Sequence, residues 1–494
     1  MRRQATEKWT GFDNIIGGNR VFLSKFFLLL LGITVPAFFL LPVKWRAGVL
    51  LAASYVFCAY MEPRSLFILI SITSVTYFMA AYIEKLRDRG AWEKAGRIAF
   101  AAVCGLTFLL AVYKYTGYLA DCFGFTDRIS ERVLKNLMMP VGLSFYSFQA
   151  IGYVVDVYKH RIATERRFGH LACYLSFFPK FVSGPIERGG AFLPQMKKLE
   201  EVRFWNRGRL SAAFTYMLWG YFMKLVVADR LGWMVNPLFA EPEAFDSFWL
   251  LLGVLMYSIQ IYCDFAGYSY IAAGCAKLFG IELQENFRAP YRAVNMQEFW
   301  RRWHISLSGW LRDYIYIPLG GNRKGSFRKY LNILIVFLVC GAWHGAGLHF
   351  LVWGLLHGIY LLAGSLTGQR VKSRILTFWM AGFAWIFFRA DSLDGAFRYI
   401  RQMATAGLWP ERMRQAAESL QLNGAEIGVG IIGIVIVWLT DWLCDREKME
   451  LPILIQQKNN GKRYLVFYLL LTAIFIFGIY GAGYHTEQFI YMRF

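Results

Sequence analysis

The sequence predicts an all-α membrane protein that crosses the bilayer many times. Of its 494 residues, 57% are hydrophobic and 18% are aromatic, and the mean hydropathy is +0.37. Apolar runs near the length that spans a bilayer, about 20 residues, also recur from one end of the chain to the other. A soluble globular protein does not need this balance, so we expect a polytopic membrane fold.

The apolar runs define the candidate membrane elements. They are Val21–Val43, Ala47–Tyr60, Ser65–Ile83, Ile98–Lys114, Val133–Val157, His170–Ile186, Leu210–Ala228, Phe245–Ile281, Tyr330–Trp343, Leu348–Gly364, Ile375–Phe388, Ile427–Trp442 and Tyr464–Tyr484. A charged loop is expected at Glu84–Arg97, and Phe245–Ile281 is long enough for two passes or one broken helix. We expect about 11 to 14 membrane elements, the short ones being re-entrant or covered by other helices.

The basic residues indicate how the protein meets the membrane. The formal net charge is +21, and the basic residues form clusters in loops. The clusters are Lys85, Arg87, Arg89, Lys94 and Arg97; Lys159, Arg161, Arg166 and Arg167; Lys197, Lys198, Arg203, Arg207 and Arg209; and Arg323, Lys324, Arg328 and Lys329. In a membrane protein such an excess marks cytoplasmic loops and anionic lipid headgroups, so we expect the lipid bilayer and no nucleic acid as a partner.

The N-terminal segment and the cysteines give little information about function. The polar residues 1–20 form too long a segment for the basic region of a signal peptide, so the first apolar run is expected to stay as an anchor. Residues 21–494 then form one membrane domain, with a motif core at 286–358. The eight cysteines include no CxxC pair and lie mostly in apolar runs, which is typical of buried free thiols.

The stretch Asn286–Gly325 is the most distinctive part of the chain. On a helical wheel its large apolar residues share one side, with His304 at the edge and Ile305 as the exception. These residues are Phe299, Trp300, Trp303, Leu307, Trp310, Leu311 and Tyr314, while Arg301, Ser308 and Arg312 lie behind them. An aromatic face backed by guanidiniums suits a helix at the membrane interface or buried in protein. A spanning helix would have to hide several arginines from lipid, which is costly.

Ionisable residues inside apolar runs are the next candidates, because charges at membrane depth are costly. Asp156 ends one apolar run, Lys180, Glu187 and Arg188 lie in a run broken by proline and glycine, and Asp264 lies among tyrosines. Broken helices are tolerated at membrane depth only where they are buried or line a cavity. The alternative for each group is a structural ion pair or hydrogen bond.

Histidine 344 is the strongest candidate for chemistry. It lies in the small-residue sequence GAWHGAG, where a substrate or another backbone can approach closely. A neutral imidazole is a natural general base for a hydroxyl. His349 and His357 do not share a face with His344 on an uninterrupted helix, which argues against a histidine metal cage. We therefore expect no metal and no bound cofactor.

Several motifs together resemble the membrane-bound O-acyltransferase (MBOAT) family. They are EFWRRWHISLSGWLRDYIYIPLGGNRKG, GAWHGAG, PVGLSFYSFQAIGYVVDVY, SFFPKFVSGPIER, YCDFAGYSYIAAGCAKLFGI, WIFFRADSL and the terminal FIYMRF. The run RDYIYIPLGGNR is most similar to the alginate O-acetyltransferase branch, and the teichoic-acid D-alanyl transferases share only part of it. The resemblance implies a ring of helices around a thin, funnel-shaped centre. It also implies that His344 is the catalytic histidine and that His304 is the second family histidine, in proton transfer or in structure.

The expected activity follows from this resemblance. It is transfer of an acyl group, most simply acetyl, from acetyl-CoA or an acyl carrier protein on the cytoplasmic side to an exported polysaccharide or to an SGNH-type partner outside. The expected location is the bacterial cell membrane. Seven further residues are expected to bind the donor or line the tunnel: Asp264, Asn286, Arg301, Arg302, Ser308, Arg312 and Trp343. The alternatives are D-alanyl transfer toward teichoic acid, and a transporter or flippase.

Overall fold

The structure is a computed structural model that describes residue 22 and residues 24–125, 137, 139–368, 370–408 and 423–480. The predicted polar tail at 1–20 and the terminal motif at 489–494 lie outside the described residues. Within them the regular structure is helical and contains no strand, so the prediction of an all-α protein is confirmed.

Helices in the first half of the chain overlap the predicted apolar runs, although several of them begin or end elsewhere. They are α1 (Lys25–Leu40), α2 (Arg46–Met61), α3 (Pro63–Asp88), α4 (Trp92–Cys122), α5 (Leu143–Tyr158), α6 (Phe168–Ser176), α7 (Gly189–Lys197), α8 (Arg207–Tyr221), α9 (Asp229–Ala240) and α10 (Ser247–Leu278). A π-helical turn, Phe222–Ala228, joins α8 to α9, so that Arg207–Ala240 is one continuous helix of 34 residues.

The second half contains two short helices followed by longer ones. They are α11 (Met296–Arg302), α12 (Ile305–Leu311), α13 (Gly325–His344), α14 (Leu348–Leu366), α15 (Arg374–Arg389), α16 (Leu393–Thr405), α17 (Gly424–Glu447), α18 (Leu451–Gln456) and α19 (Asn460–Phe477). In the described part of the chain, 8 helices are long and apolar enough to cross a membrane: α3, α4, α8 with α9, α10, α13, α14, α17 and α19. The multi-pass prediction is confirmed.

For two segments the predicted local structure was wrong. Phe245–Ile281 is neither two passes nor a broken helix, because α10 runs unbroken over 32 residues. The charged segment Glu84–Arg97 is mostly helical, and the chain leaves the helix only at residues 89–91, where Gly90 has a φ of 75°. Lysine, arginine and glutamate favour helices, so charge marks the end of the apolar surface rather than the end of a helix.

The proline- and glycine-broken segment after α6 is buried protein rather than lipid-facing helix. Its backbone groups are satisfied by side chains: the Phe178 amide donates to Ser54 Oγ (3.1 Å) and the Ile186 amide donates to Ser306 Oγ (3.0 Å). Non-helical backbone at membrane depth needs such partners. The expectation that this segment is buried by other elements is confirmed.

Close backbone contact joins the two helices that lead to His344. A Cβ atom added at Gly341 of α13 would collide with the Phe350 carbonyl, and one added at Gly354 of α14 would collide with the Phe337 carbonyl. These glycines therefore let α13 and α14 pack with their backbones almost in contact. The pair forms a tight hairpin that carries His344 at its tip.

Ion pairs join three of the basic clusters on one end of the helical bundle. Arg166 pairs with Glu84 at 2.5 Å, and Lys197 lies 3.8 Å from Glu165. The loop before α4, the loop after α5 and the end of α7 are therefore neighbours. This common location is what the positive-inside rule requires of loops on one side of a membrane.

Candidate active site

The distinctive stretch is not one helix, which corrects the single helical face predicted for it. Helix α11 ends at Arg302, α12 begins at Ile305, and His304 lies between them with φ 43° and ψ 55°. A left-handed conformation is uncommon for a non-glycine residue and persists where its surroundings hold it. Here the Ile305 amide donates to the Asn286 carbonyl at 2.9 Å, which fixes the backbone directly after the break.

The side chain of Asn286 is the centre of a buried polar network. Its Oδ1 accepts the hydroxyl of Ser306 at 2.9 Å and lies 3.4 Å from the Ser306 amide nitrogen, which also donates to it. Its Nδ2 donates to Ser269 Oγ at 3.2 Å. The same Oδ1 lies 3.0 Å from Nδ1 of His304. The expectation that Asn286 binds the donor or lines the tunnel stays a prediction, and the structure shows that Asn286 holds His304.

This network determines the tautomer of His304. An amide oxygen only accepts hydrogen bonds, so the contact with Asn286 places the imidazole proton on Nδ1 and leaves the ring lone pair on Nε2. His304 is only 1% exposed, and the Phe265 ring packs edge-on against it at 4.7 Å. Burial lowers the pKa of His304 to about 3. The ring is therefore neutral, with a fixed orientation.

His344 is the last residue of α13 and lies in an aromatic enclosure. Its ring packs edge-on against Trp343, Trp353 and Phe388, with ring centroids 4.9, 5.0 and 5.2 Å away. The glycines around His344 were expected to let a substrate or another part of the protein come close. At Gly345 it is the protein that comes close, because an added Cβ would collide with the Phe350 ring. His344 is 4% exposed, so the enclosure excludes most water from it.

Trp343 joins the two histidines. Its ring centroid lies 6.1 Å from that of His304 and 4.9 Å from that of His344. The other surfaces of the indole contact Phe145 and Phe148 of α5, at 5.2 and 5.3 Å. The two histidines, which are 40 positions apart in sequence, are thus brought to one site around one tryptophan.

The other two histidines of the hairpin have structural contacts. His349 Nδ1 lies 3.0 Å from the Phe387 carbonyl, and the Trp300 indole donates to His357 Nδ1 at 3.3 Å. The argument from an uninterrupted helix was wrong, because the chain leaves the helix after His344 and turns back into α14. Trp353 packs between His344 and His357, with centroids 5.0 and 4.9 Å away.

Asp264 forms a structural ion pair, which was the alternative to a functional role. Lys224 of the π-helical turn lies 2.5 Å from Asp264 and 2.8 Å from Asp229. Both carboxylates are buried, so the lysine is the shared counter-ion of two helices. Such an arrangement joins α10 to the α8–α9 helix at membrane depth, where an unpaired charge is costly.

The arginines of the distinctive stretch pair with acidic residues or are exposed. Arg302 pairs with Glu298 at 2.6 Å and with Asp445 of α17 at 2.7 Å. The exposed Arg312 pairs with Asp313 at 2.8 Å, and Arg301 is exposed. The hydroxyl of Ser308 donates to the Trp303 carbonyl at 3.3 Å. These contacts stabilise the stretch, and a tunnel-lining role for these four residues stays a prediction.

Glu187 supports the loop that carries Asn286, and Lys180 joins the broken segment to α5 and α6. Glu187 accepts the Gln284 amide at 2.6 Å, two residues before Asn286. Lys180 donates to the Gln149 side chain and to the Tyr174 carbonyl.

Asp156 and Arg188 also form structural contacts, both with the segment after α12. The Tyr314 hydroxyl donates to Asp156 at 2.6 Å, and Arg188 pairs with Asp313 at 3.1 Å. These contacts tie the π-helical turn Arg312–Tyr316 to α5 and to the broken segment before α7. Asp156 and Arg188 therefore both take part in structural hydrogen bonds or ion pairs.

A cavity of about 580 Å³ reaches the Asn286 network from the end of the bundle that carries α18. Its lining residues come from α8, α10, the loop after α10 and α18: Asn206, Gly208, Arg209, Ala212, Tyr216, Ala266, Ser269, Tyr270, Ala273, Lys277, Gly280, Glu282, Leu283, Gln284, Glu285, Asn286, Phe287, Glu450, Ile453 and Gln456. Ser269 and Asn286 are buried, whereas Asn206 and Glu282 are exposed. The cavity thus connects the surface with the residue that holds His304.

Two contributors to this site were missed from sequence. Ser306 did not stand out because serine is common at helix starts, and only the fold shows that its hydroxyl bridges Asn286 and the Ile186 amide. Lys114 was used as the end of an apolar run, but α4 continues to Cys122. Its ammonium donates to the carbonyl of Trp343. A lysine inside an apolar run is the signal that was available.

Sequence similarity to known proteins extends over the residues of this site. The sequence model of the membrane-bound O-acyltransferase family matches residues 136–391, which include both histidines. The chain is 32% identical over 434 residues to the probable alginate O-acetylase of Pseudomonas aeruginosa, covering 84% of this chain and 80% of the relative. It is 32% identical over 401 residues to the peptidoglycan O-acetyltransferase of Helicobacter pylori, covering 74% of each. A teichoic acid D-alanyltransferase of Streptococcus thermophilus is 32% identical over 239 residues, 46% of this chain and 57% of the relative.

Proposed function

Since the chain belongs to the membrane-bound O-acyltransferase family and is a multi-pass membrane acyltransferase, we propose that it O-acetylates an exported cell-surface polysaccharide. The acetyl group comes from a thioester on the cytoplasmic side, most simply acetyl-CoA or an acetylated carrier protein. The acceptor is a glycan hydroxyl, or the nucleophile of an SGNH-type partner protein outside that completes the transfer. The location is the bacterial cell membrane.

The relatives favour acetyl over D-alanyl as the transferred group. Similarity to the two O-acetylating relatives covers 84% and 74% of this chain, whereas similarity to the D-alanyltransferase covers 46%. Both O-acetylating relatives are named for cell-surface polymers, alginate and peptidoglycan. D-Alanyl transfer from a carrier protein is the second candidate, and the shorter similarity supports it.

The arrangement of His304, Trp343 and His344 is the observation that carries the mechanism. The acceptor oxygen attacks the thioester carbonyl carbon, and His344 takes the hydroxyl proton as general base. The new C–O ester bond forms, the C–S bond breaks, and the thiolate leaves and is protonated. Neutral His304, oriented by Asn286, offers Nε2 for relaying that proton or orienting the acceptor. The aromatic enclosure keeps water, a competing acceptor, away from His344.

The cavity that reaches Asn286 is proposed as the donor entrance. Arg203 and Arg207 are exposed beside the mouth residues Asn206 and Gly208, in a basic cluster that the positive-inside rule assigns to the cytoplasm. A phosphate-bearing donor would keep its phosphates at these arginines. Its narrow thioester arm would extend past Ser269 toward the histidines.

Acyl-ester analysis of cells tests this function. Polysaccharide from cells that produce the wild-type protein is treated with mild base, and the released acid is identified by mass. We expect acetate, and we expect none with His344→Ala or His344→Gln at equal membrane abundance. Release of D-alanine would support the second candidate. Normal acylation by His344→Gln would contradict the proposed chemistry and favour a transport role, for which the imidazole is dispensable.

A further inference from the structure

Lys114 is a charged residue in the interior of a membrane-spanning helix. Helix α4 is 31 residues long and is one of the eight candidate spans, and Lys114 lies between its apolar segment and its end at Cys122. A lysine at membrane depth is costly and is usually retained for a specific partner. Lys114 has such a partner at the candidate active site.

The partner is the end of the helix that carries His344. The Lys114 ammonium donates to the Trp343 carbonyl, and the adjacent Tyr115 hydroxyl donates to the Ala342 carbonyl at 2.6 Å. The last carbonyls of an α-helix have no intrahelical partner. Two consecutive side chains of α4 therefore satisfy two consecutive carbonyls immediately before His344, and a cation there also complements the negative end of the helix dipole.

Lys114 also lies close to the aromatic ring that joins the two histidines. The Nζ atom lies 5.9 Å from the centre of the Trp343 ring, the same ring that contacts both histidines. Acyl transfer develops negative charge on the thioester oxygen. A fixed positive charge near that oxygen favours the transition state over the ground state.

We propose that Lys114 is a positioning residue for acyl transfer, which holds the His344 end of α13 against α4 together with Tyr115 and brings a positive charge to the reacting groups. This inference rests on the proposed function of His344. It assigns to α4, which lies outside the matched family region 136–391, a part of the active site.

Four variants test the proposal in the full-length protein. Lys114→Arg keeps the charge, Lys114→Met keeps the length and apolar stem but removes the charge, and Tyr115→Phe removes one hydrogen bond. Thr116→Val is the matched control, because the Thr116 hydroxyl donates to the Val112 carbonyl within α4. Acetate ester per membrane-inserted protein is measured in cells, and kcat and KM for acetyl-CoA are measured in proteoliposomes.

We expect Lys114→Met to lower kcat by about tenfold to a hundredfold, as small misplacements of reacting groups do, with KM for acetyl-CoA within about twofold of wild type. Lys114→Arg should restore most of the rate, Tyr115→Phe should lower it less, and Thr116→Val should not change it. Wild-type rates in Lys114→Met would overturn the proposal. If Lys114→Met and Lys114→Arg lowered kcat equally, the positive charge would not contribute, and that part of the proposal would be overturned.

A structural readout separates this proposal from the proposed function. Hydrogen exchange of backbone amides at residues 341–347 should become faster in Lys114→Met and Tyr115→Phe but not in Thr116→Val. If wild-type protein does not use acetyl-CoA, the proposed donor fails, while cellular ester content and hydrogen exchange still decide the role of Lys114. Unchanged exchange together with unchanged ester content in Lys114→Met would contradict the inference. If Lys114→Met does not reach the membrane, Tyr115→Phe decides by the same two readouts.

Discussion

The side-chain oxygen of Asn286 lies 3.0 Å from Nδ1 of His304, and this contact connects the loop after α10 to the break between α11 and α12. The same oxygen accepts two hydrogen bonds from Ser306, so a single buried atom fixes three donors. His304 adopts a left-handed backbone conformation at this point. The Asn286 side chain therefore fixes the tautomer of the imidazole, and the Asn286 carbonyl fixes the backbone after His304.

Replacing Asn286 tests that relationship. Asn286→Ala leaves the Ser306 hydroxyl and the His304 Nδ1 proton without their acceptor, which costs about 1 to 3 kcal/mol for each buried group left unsatisfied. We expect a lower unfolding temperature in detergent and strongly reduced ester formation. Asn460→Ala, at an exposed asparagine that begins α19 and does not line the cavity, should change neither property. Full activity of Asn286→Ala would show that the orientation of His304 does not matter.

Asp264 makes the opposite prediction, of a stability effect without a specific effect on chemistry. Asp264→Asn removes one of two carboxylates that share Lys224 and should cost about 1.5 to 3 kcal/mol, the range for hydrogen bonds to charged groups. We expect a lower unfolding temperature and less membrane-inserted protein. The ester formed per folded molecule should stay within about twofold of wild type. A large loss of rate at unchanged stability would return Asp264 to the active site.

How much of this was predictable from sequence differs between the fold and the site. Apolar length predicted the helices, because lipid imposes that length directly. The break at His304 could not be predicted, since Asn286 and Ile305 impose it through contacts that exist only in the folded chain. For the same reason Lys114 was taken for a helix end, whereas the structure pairs it with a carbonyl more than 200 residues away. The joint position of His304 and His344 came from the family resemblance, because periodicity does not relate residues on different helices.

The α13–α14 hairpin predicts a position that does not tolerate even one methyl group. Gly354→Ala places a Cβ against the Phe337 carbonyl of α13, so the helices must separate and the His344 end must move. We expect a clear loss of ester formation, with a smaller loss for Gly358→Ala, whose nearest neighbour is a flexible leucine side chain at 3.0 Å. Gly428→Ala in α17 is the control, because nothing lies within 4 Å of its added Cβ. Equal activity of the Gly354 and Gly428 variants would contradict close packing of the hairpin.

The cavity at Asn286 predicts a separation between donor binding and chemistry. Ala273 lines it from α10, and Ala273→Trp would fill part of its 580 Å³. If the thioester arm enters here, KM for acetyl-CoA should rise at least about tenfold. A bulky side chain in the entrance weakens binding of the ground state and of the transition state equally, which raises KM and leaves kcat unchanged. Leu355→Trp, at a position of α14 that is 38% exposed, controls for the added bulk. An unchanged KM in Ala273→Trp, with normal protein abundance, would mean that the donor reaches His344 by another route, because a path through this cavity has to pass the indole.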